Sequence, residues 1–124
     1  MLVDTTVFID YSRGEKKAAD FLIMSDVLLQ TSIISIMEVV QGIEEKRIVS
    51  EFLKDIRDLG IEILQINETV SDIAFSIFRS YYRNGLRIED SLITATALAY
   101  NQAIATHNVK HFALVKDLDV IKPY

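Results

Sequence analysis

The chain has 124 residues, half of them hydrophobic and 25% charged, with four Gly, one Pro and no Cys; at about 150 residues per domain that leaves room for one core, and it excludes disordered, collagen-like and disulfide-stapled chains. The missing thiols also rule out thiolate zinc sites, iron–sulfur clusters and cysteine nucleophiles. Thirteen Lys and Arg against eighteen Asp and Glu give a net charge of −5, too acidic for a protein that wraps nucleic acid in a uniformly basic surface, so any polyanion must be bound locally.

The segment Met1–Val3 is a short apolar run that meets a carboxylate at Asp4. It therefore lacks the basic and apolar regions of a signal peptide. No run approaches the ~18 apolar residues of a membrane span, and a cytoplasmic protein folded as one domain over residues 1–124 is expected. Val27–Leu29 and Ile61–Ile66 read as further buried strands, with Ala103–Ala105 and Val120–Ile121 as weaker ones. Between them the period turns helical: Ile48, Val49, Phe52, Leu53, Ile56 and Leu59 form one stripe, which Gly60 ends. Asn67 is an N-cap for the next helix, whose apolar face runs Val70, Ile73, Ala74, Ile77, Phe78, Tyr81 and stops at Asn84-Gly85. From Leu92 to Tyr100 apolar residues cover nearly the whole circumference, which predicts a buried helix. Strands alternating with helices imply a mostly parallel sheet covered on both faces, an α/β fold in three layers. In such sheets functional groups gather beyond the carboxyl ends of the strands.

Four polar residues sit where that crevice should be. Asp4 ends the first strand, placed either to hold a cation or to cap the following helix. Glu38 is the only charge in the apolar segment Ile33 to Gly42, and Glu is rarely buried without a partner, so it lies at a wet helix edge or at a site. Asp90 falls in the first turn of the buried helix, where capping also explains it and Glu89 can do the same job. Asn108 follows the fourth strand and fits a turn equally well. Three converging carboxylates repel one another and raise their pKa values unless a cation neutralises them; with oxygen donors only, Mg²⁺ or Mn²⁺ is favoured over zinc.

Leu2-Val3-Asp4-Thr5-Thr6-Val7-Phe8-Ile9-Asp10, Ser35-Ile36-Met37-Glu38-Val39-Val40-Gln41-Gly42, Ile88-Glu89-Asp90-Ser91-Leu92-Ile93-Thr94-Ala95-Thr96-Ala97-Leu98 and Ala105-Thr106-His107-Asn108-Val109-Lys110-His111-Phe112 follow in that order along the chain. Together they resemble the PIN-domain ribonucleases, and within them the VapC-type toxins of toxin–antitoxin modules. The resemblance implies a three-layer α/β/α sandwich with a five-stranded sheet of order 3-2-1-4-5. It also implies a Mg²⁺-dependent endoribonuclease, Mn²⁺ substituting, that leaves 5′-phosphate and 3′-hydroxyl ends, and it implies a VapB-like antitoxin and a homodimer. Carried over by position, Asp4, Glu38 and Asp90 match the acidic metal ligands, and Thr6 and Thr106 match supporting positions. Asn108 stands where many members carry a fourth acid, which favours one resident metal.

Arg79 and Arg83, spaced i, i+4, and Arg87 near Asp90 are candidate contacts for the RNA backbone. Arg13, Lys16 and Lys17 form a second candidate patch, and solvated helix faces are the competing explanation for both. His107 and His111 offer metal-free acid–base chemistry, against which they read as solvent-facing residues of a strand end and turn. The alternative class is a PIN-like RNA-binding or acidic-pocket module that does not cut. A receiver-like phosphoacceptor domain is disfavoured because Ile61–Ile66 has no Asp. Phe21, Leu22 and Ile43 are apolar beyond what one small core needs, and the resemblance implies that this region serves dimerisation and antitoxin docking.

Overall fold

Leu2 and Val3 are fully buried and, as neighbours in a strand, point to opposite faces of the sheet, which is why the chain needs helices on both sides. The computed structural model describes residues 1–124. Its strands are β1 (Leu2–Val3), β2 (Gln30–Ser32), β3 (Glu62–Leu64), β4 (Ile104–Ala105) and β5 (Val120–Ile121). They are parallel throughout and ordered β3-β2-β1-β4-β5, the expected order. The helices are α1 (Thr5–Ser12), α2 (Lys16–Met24), α3 (Ile33–Gln41), α4 (Lys46–Asp58), α5 (Glu68–Tyr81), α6 (Ile88–Ala99) and α7 (Val109–Phe112).

On the Val3 face, Val7 and Phe8 of α1, Ala18 and Leu22 of α2, Ile36 and Val39 of α3, and Phe52 and Ile56 of α4 form one cluster. Phe8 meets Phe52 edge-on, with ring centroids 6.0 Å apart. On the Leu2 face, Ile93 and Ala97 of α6 pack with Ile104, Leu64 and Phe112. A third cluster joins Val70, Ala74 and Ile77 of α5 to Ala95 of α6, so α6 is buried between the sheet and α5. Asn67 accepts the Val70 amide at 2.9 Å, as an N-cap should. After Tyr81 a 3₁₀ turn, Tyr82–Asn84, leads to Gly85, whose φ of +92° needs glycine. No helix is long and apolar enough to cross a membrane.

The second strand lies three residues beyond the expected Val27–Leu29. Val27 and Leu28 are exposed, while the polar Thr31 is fully buried in the strand. Its hydroxyl donates to the Val3 carbonyl at 2.8 Å, which removes the cost of burying it. Leu22 belongs to the core, and Phe21 and Ile43 pack against it. In this part of the chain the large apolar side chains left in solvent are instead Ile23, Met24, Val27, Leu28 and, on α3, Met37.

Candidate active site

Strand order reverses direction between β1 and β4, and their register pairs Val3 with Ala105. The next residues, Asp4 and Thr106, therefore face each other at the carboxyl edge, where open α/β sheets bind ligands. The Thr106 hydroxyl donates to Asp4 Oδ2 at 2.7 Å and the Thr6 hydroxyl reaches the same oxygen at 3.3 Å. Each hydroxyl also accepts a backbone amide, Thr106 from Asn108 at 3.0 Å and Thr6 from His107 at 3.2 Å. With a lone pair engaged in this way, each hydroxyl directs its proton to the carboxylate. Asp4 occupies the N-cap position of α1, yet its side chain makes no capping hydrogen bond. Burial pushes the Asp4 carboxyl above its ordinary pKa, and the hydroxyls with the amides of Thr5 and Thr6 offset that only in part.

Glu38 comes from the next strand over. Ser32 ends β2 and caps α3 by accepting the Ile34 amide at 3.1 Å, which aims the helix across the same edge. Thr5 donates to Glu38 Oε1 at 2.8 Å. Burial raises the Glu38 pKa, the Thr5 hydroxyl opposes this, and the charges of Asp4, Glu89 and Asp90 raise it further.

Asp90 sits in the first turn of α6, where its Oδ2 accepts the Arg87 amide at 3.2 Å. It thus serves as a capping residue and, with most of its side chain buried, also lines the site. Capping and site roles coexist because one carboxylate has two oxygens. Glu89, the other candidate for capping, instead pairs with the Arg87 guanidinium at 3.1 Å.

Asp4, Thr6, Glu38, Asp90, Asn108 and Arg87 all line one crevice of about 200 Å³, and Thr106 lies buried behind Asp4. Arg79 and Arg83 do not line it. The helix ends at Tyr81, so Arg83 lies in the 3₁₀ turn rather than on a shared helical face, its Nε donating to the Tyr82 hydroxyl at 2.9 Å. Lys16 in the second basic patch is paired with Asp20 at 2.7 Å.

The histidines depart from expectation. His107 packs against Tyr124 with ring centroids 4.3 Å apart, and its Nε2 stands 3.7 Å from Asp10. His111 lines the crevice, with Nε2 2.7 Å from the Gly85 carbonyl and 3.6 Å from Asp90 Oδ2. Both are partly buried, and the four-residue α7 that carries His111 begins after His107, so they do not share a helix face. Thr5 is a crevice residue that pattern reasoning passed over, and His111, weighed as solvent-facing, is one that it misplaced. The Thr5-Thr6 pair beside Asp4 was the available signal for the first.

The donor set fits a hard divalent cation, because the acids supply oxygen ligands only, and Asp4 and Glu38 stand with raised pKa values in a place where Arg87 is already paired. No three His, Asp or Glu side chains form a finished cage.

Removing the buried hydroxyl tests how Asp4 is held. Thr106→Val should cost about 2 kcal/mol at neutral pH, the scale of a hydrogen bond to a charged group. The loss should shrink at acid pH, where Asp4 is protonated. Urea unfolding at two pH values measures both.

The profile of the PIN domain family matches residues 1–118. Ribonuclease VapC10 of Mycobacterium tuberculosis is 32% identical over 124 residues, covering 95% of this chain and 90% of that protein. Ribonuclease VapC1 of Methanocaldococcus jannaschii is 32% identical over 119 residues, covering 94% and 82%. Among solved structures, a chain of a toxin–antitoxin complex from Klebsiella pneumoniae superposes with a TM-score of 0.82 at 25% identity, covering 99% of this chain and 97% of that one.

Proposed function

Because this chain belongs to the PIN domain family, we propose that it is a metal-dependent endoribonuclease, the toxin of a toxin–antitoxin pair, cutting RNA in the crevice at the β1–β4 edge. The observation that carries this is the gathering of Asp4, Glu38 and Asp90 around one cavity with no free cation between them. Asp4 and Asp90 hold the ion, Mg²⁺ or Mn²⁺, and Asn108 adds a neutral oxygen. When bound, such an ion neutralises charge on the phosphate and lowers the pKa of water.

Glu38 takes the proton of the attacking water. Its raised pKa makes it a stronger base than an exposed Glu, which general-base catalysis favours. Thr5 keeps the carboxylate oriented by donating to Oε1. Thr6 and Thr106 hold Asp4 in place in the same way. Arg87, at the rim, meets the RNA backbone, and the exposed Arg79 and Arg83 extend that contact away from the crevice. The same reading makes residues 1–124 one domain acting in the cytoplasm, a homodimer with a VapB-like antitoxin as its protein partner.

Total RNA incubated with the purified protein in Mg²⁺, Mn²⁺ or EDTA tests the reaction. Discrete fragments bearing 5′-phosphates should form with either metal and disappear in EDTA. Fragments that persist in EDTA with cyclic 2′,3′-phosphate ends would transfer the chemistry to the histidines.

A further inference from the structure

Asn108 is at the N-cap position of α7, where an Asn ordinarily turns its Oδ1 to a helix amide. Here it makes no capping bond. Its Nδ2 lies 3.0 Å from Nδ1 of His111 instead. The other ring nitrogen, Nε2, is 2.7 Å from the carbonyl of Gly85.

These two contacts define each other. A carbonyl only accepts, so Nε2 carries a proton, and in the neutral ring Nδ1 is then a bare lone pair. A lone pair needs a donor, which only the NH₂ end of the Asn108 amide supplies. Were the amide turned over, two acceptors would meet at 3.0 Å. With the ring neutral, the Asn108 side chain therefore has one allowed orientation, with Oδ1 away from the ring, and no protein donor engages that oxygen. Both residues line the crevice that holds Asp4 and Asp90.

An Asn in a cation site needs this help where an Asp does not. A carboxylate offers oxygen either way round, but a turned amide would present N–H groups to a positive ion. We propose that His111 is a positioning residue, which by accepting from Nδ2 of Asn108 and donating to Gly85 directs the Asn108 Oδ1 into the acidic crevice as a neutral oxygen ligand for a divalent cation. Gly85 supports this from the turn that leads into α6, so the same ring ties the Asn108 turn to the helix bearing Asp90. The assignment rests on the metal-dependent reading of the site.

Two measurements decide it. Nitrogen-15 NMR of the wild-type protein at neutral pH, which needs no variant, should find His111 protonated on Nε2 and the Asn108 side-chain NH₂ coupled to Nδ1; the Nδ1–H tautomer would overturn the assignment. Mn²⁺ titration, followed by the spin resonance of the free ion, should then compare wild type, His111→Phe, Asn108→Asp and the double variant. His111→Phe should weaken Mn²⁺ binding about tenfold, as loss of an orienting partner does, yet leave the affinity of Asn108→Asp unchanged. An equal loss in both backgrounds would make His111 merely structural and overturn the proposal. If wild type binds no Mn²⁺ at all, the metal reading fails, and the tautomer still reports on its own whether His111 orients Asn108.

Discussion

Replacing Asp4 by Asn should lower metal-dependent RNA cleavage by about a thousandfold, near 4 kcal/mol of transition-state stabilisation, while making the metal-free protein harder to unfold. Both effects come from one carboxylate. It is buried, its pKa is raised, and the hydroxyls of Thr106 and Thr6 reduce that burden without removing it. An Asn oxygen can accept the same two hydroxyls, so the substitution removes charge and leaves the local bonds. A gain of about 1 kcal/mol is the common yield when a functional site's strain is relieved.

The gain has a definite pH dependence. A carboxyl whose folded pKa lies above its unfolded value holds its proton more tightly in the folded chain, so folding is favoured at acid pH. That advantage is lost as pH rises through the raised folded value. The stability difference between Asp4→Asn and wild type should therefore vanish at acid pH and open as pH rises from the ordinary carboxylate range toward neutrality. Denaturant titrations of the two metal-free proteins across that span measure it. A constant difference would mean that the Asp4 charge is not what destabilises the fold.

A second large effect should come from the cation itself. At about a hundredfold above its Kd, Mn²⁺ should stabilise the wild type by about 2.7 kcal/mol, which for a domain of this size is an increase in Tm of about 10 °C. The shift should be larger at neutral than at acid pH, because Asp4 and Glu38, both with raised pKa values, must lose their protons to bind the ion. It should be absent in Asp4→Asn and reduced in Glu38→Gln. Ca²⁺ at the same concentration is the useful control, since it prefers more ligands than this open crevice provides.

Much of this was legible in the residues. Asp4, Glu38 and Asp90 were each ambiguous alone, and the topology shows what local pattern did not: a parallel sheet with its switch point between β1 and β4 brings the three separate segments to one edge. Asn67 and the stripe of α4 followed local rules and are where those rules put them. The second strand did not, because hydrophobicity was the guide and the buried strand is polar. Thr31 is tolerated only through its bond to the Val3 carbonyl, a tertiary partner that no local pattern displays. His111, weighed as a solvent-facing residue, was misplaced for the same reason. Its partners, Gly85 and Asn108, come from two different turns, and only the fold brings them to one ring. Asp90 shows the limit of choosing between explanations, since its carboxylate caps α6 and lines the crevice at once.

The most direct test sets wild type beside Asp90→Asn on total RNA with Mn²⁺, both proteins first shown to be folded. Discrete fragments from wild type and none from Asp90→Asn are the predicted result. The same fragments at the same rate from both would contradict a reaction that depends on carboxylates gathered in this crevice.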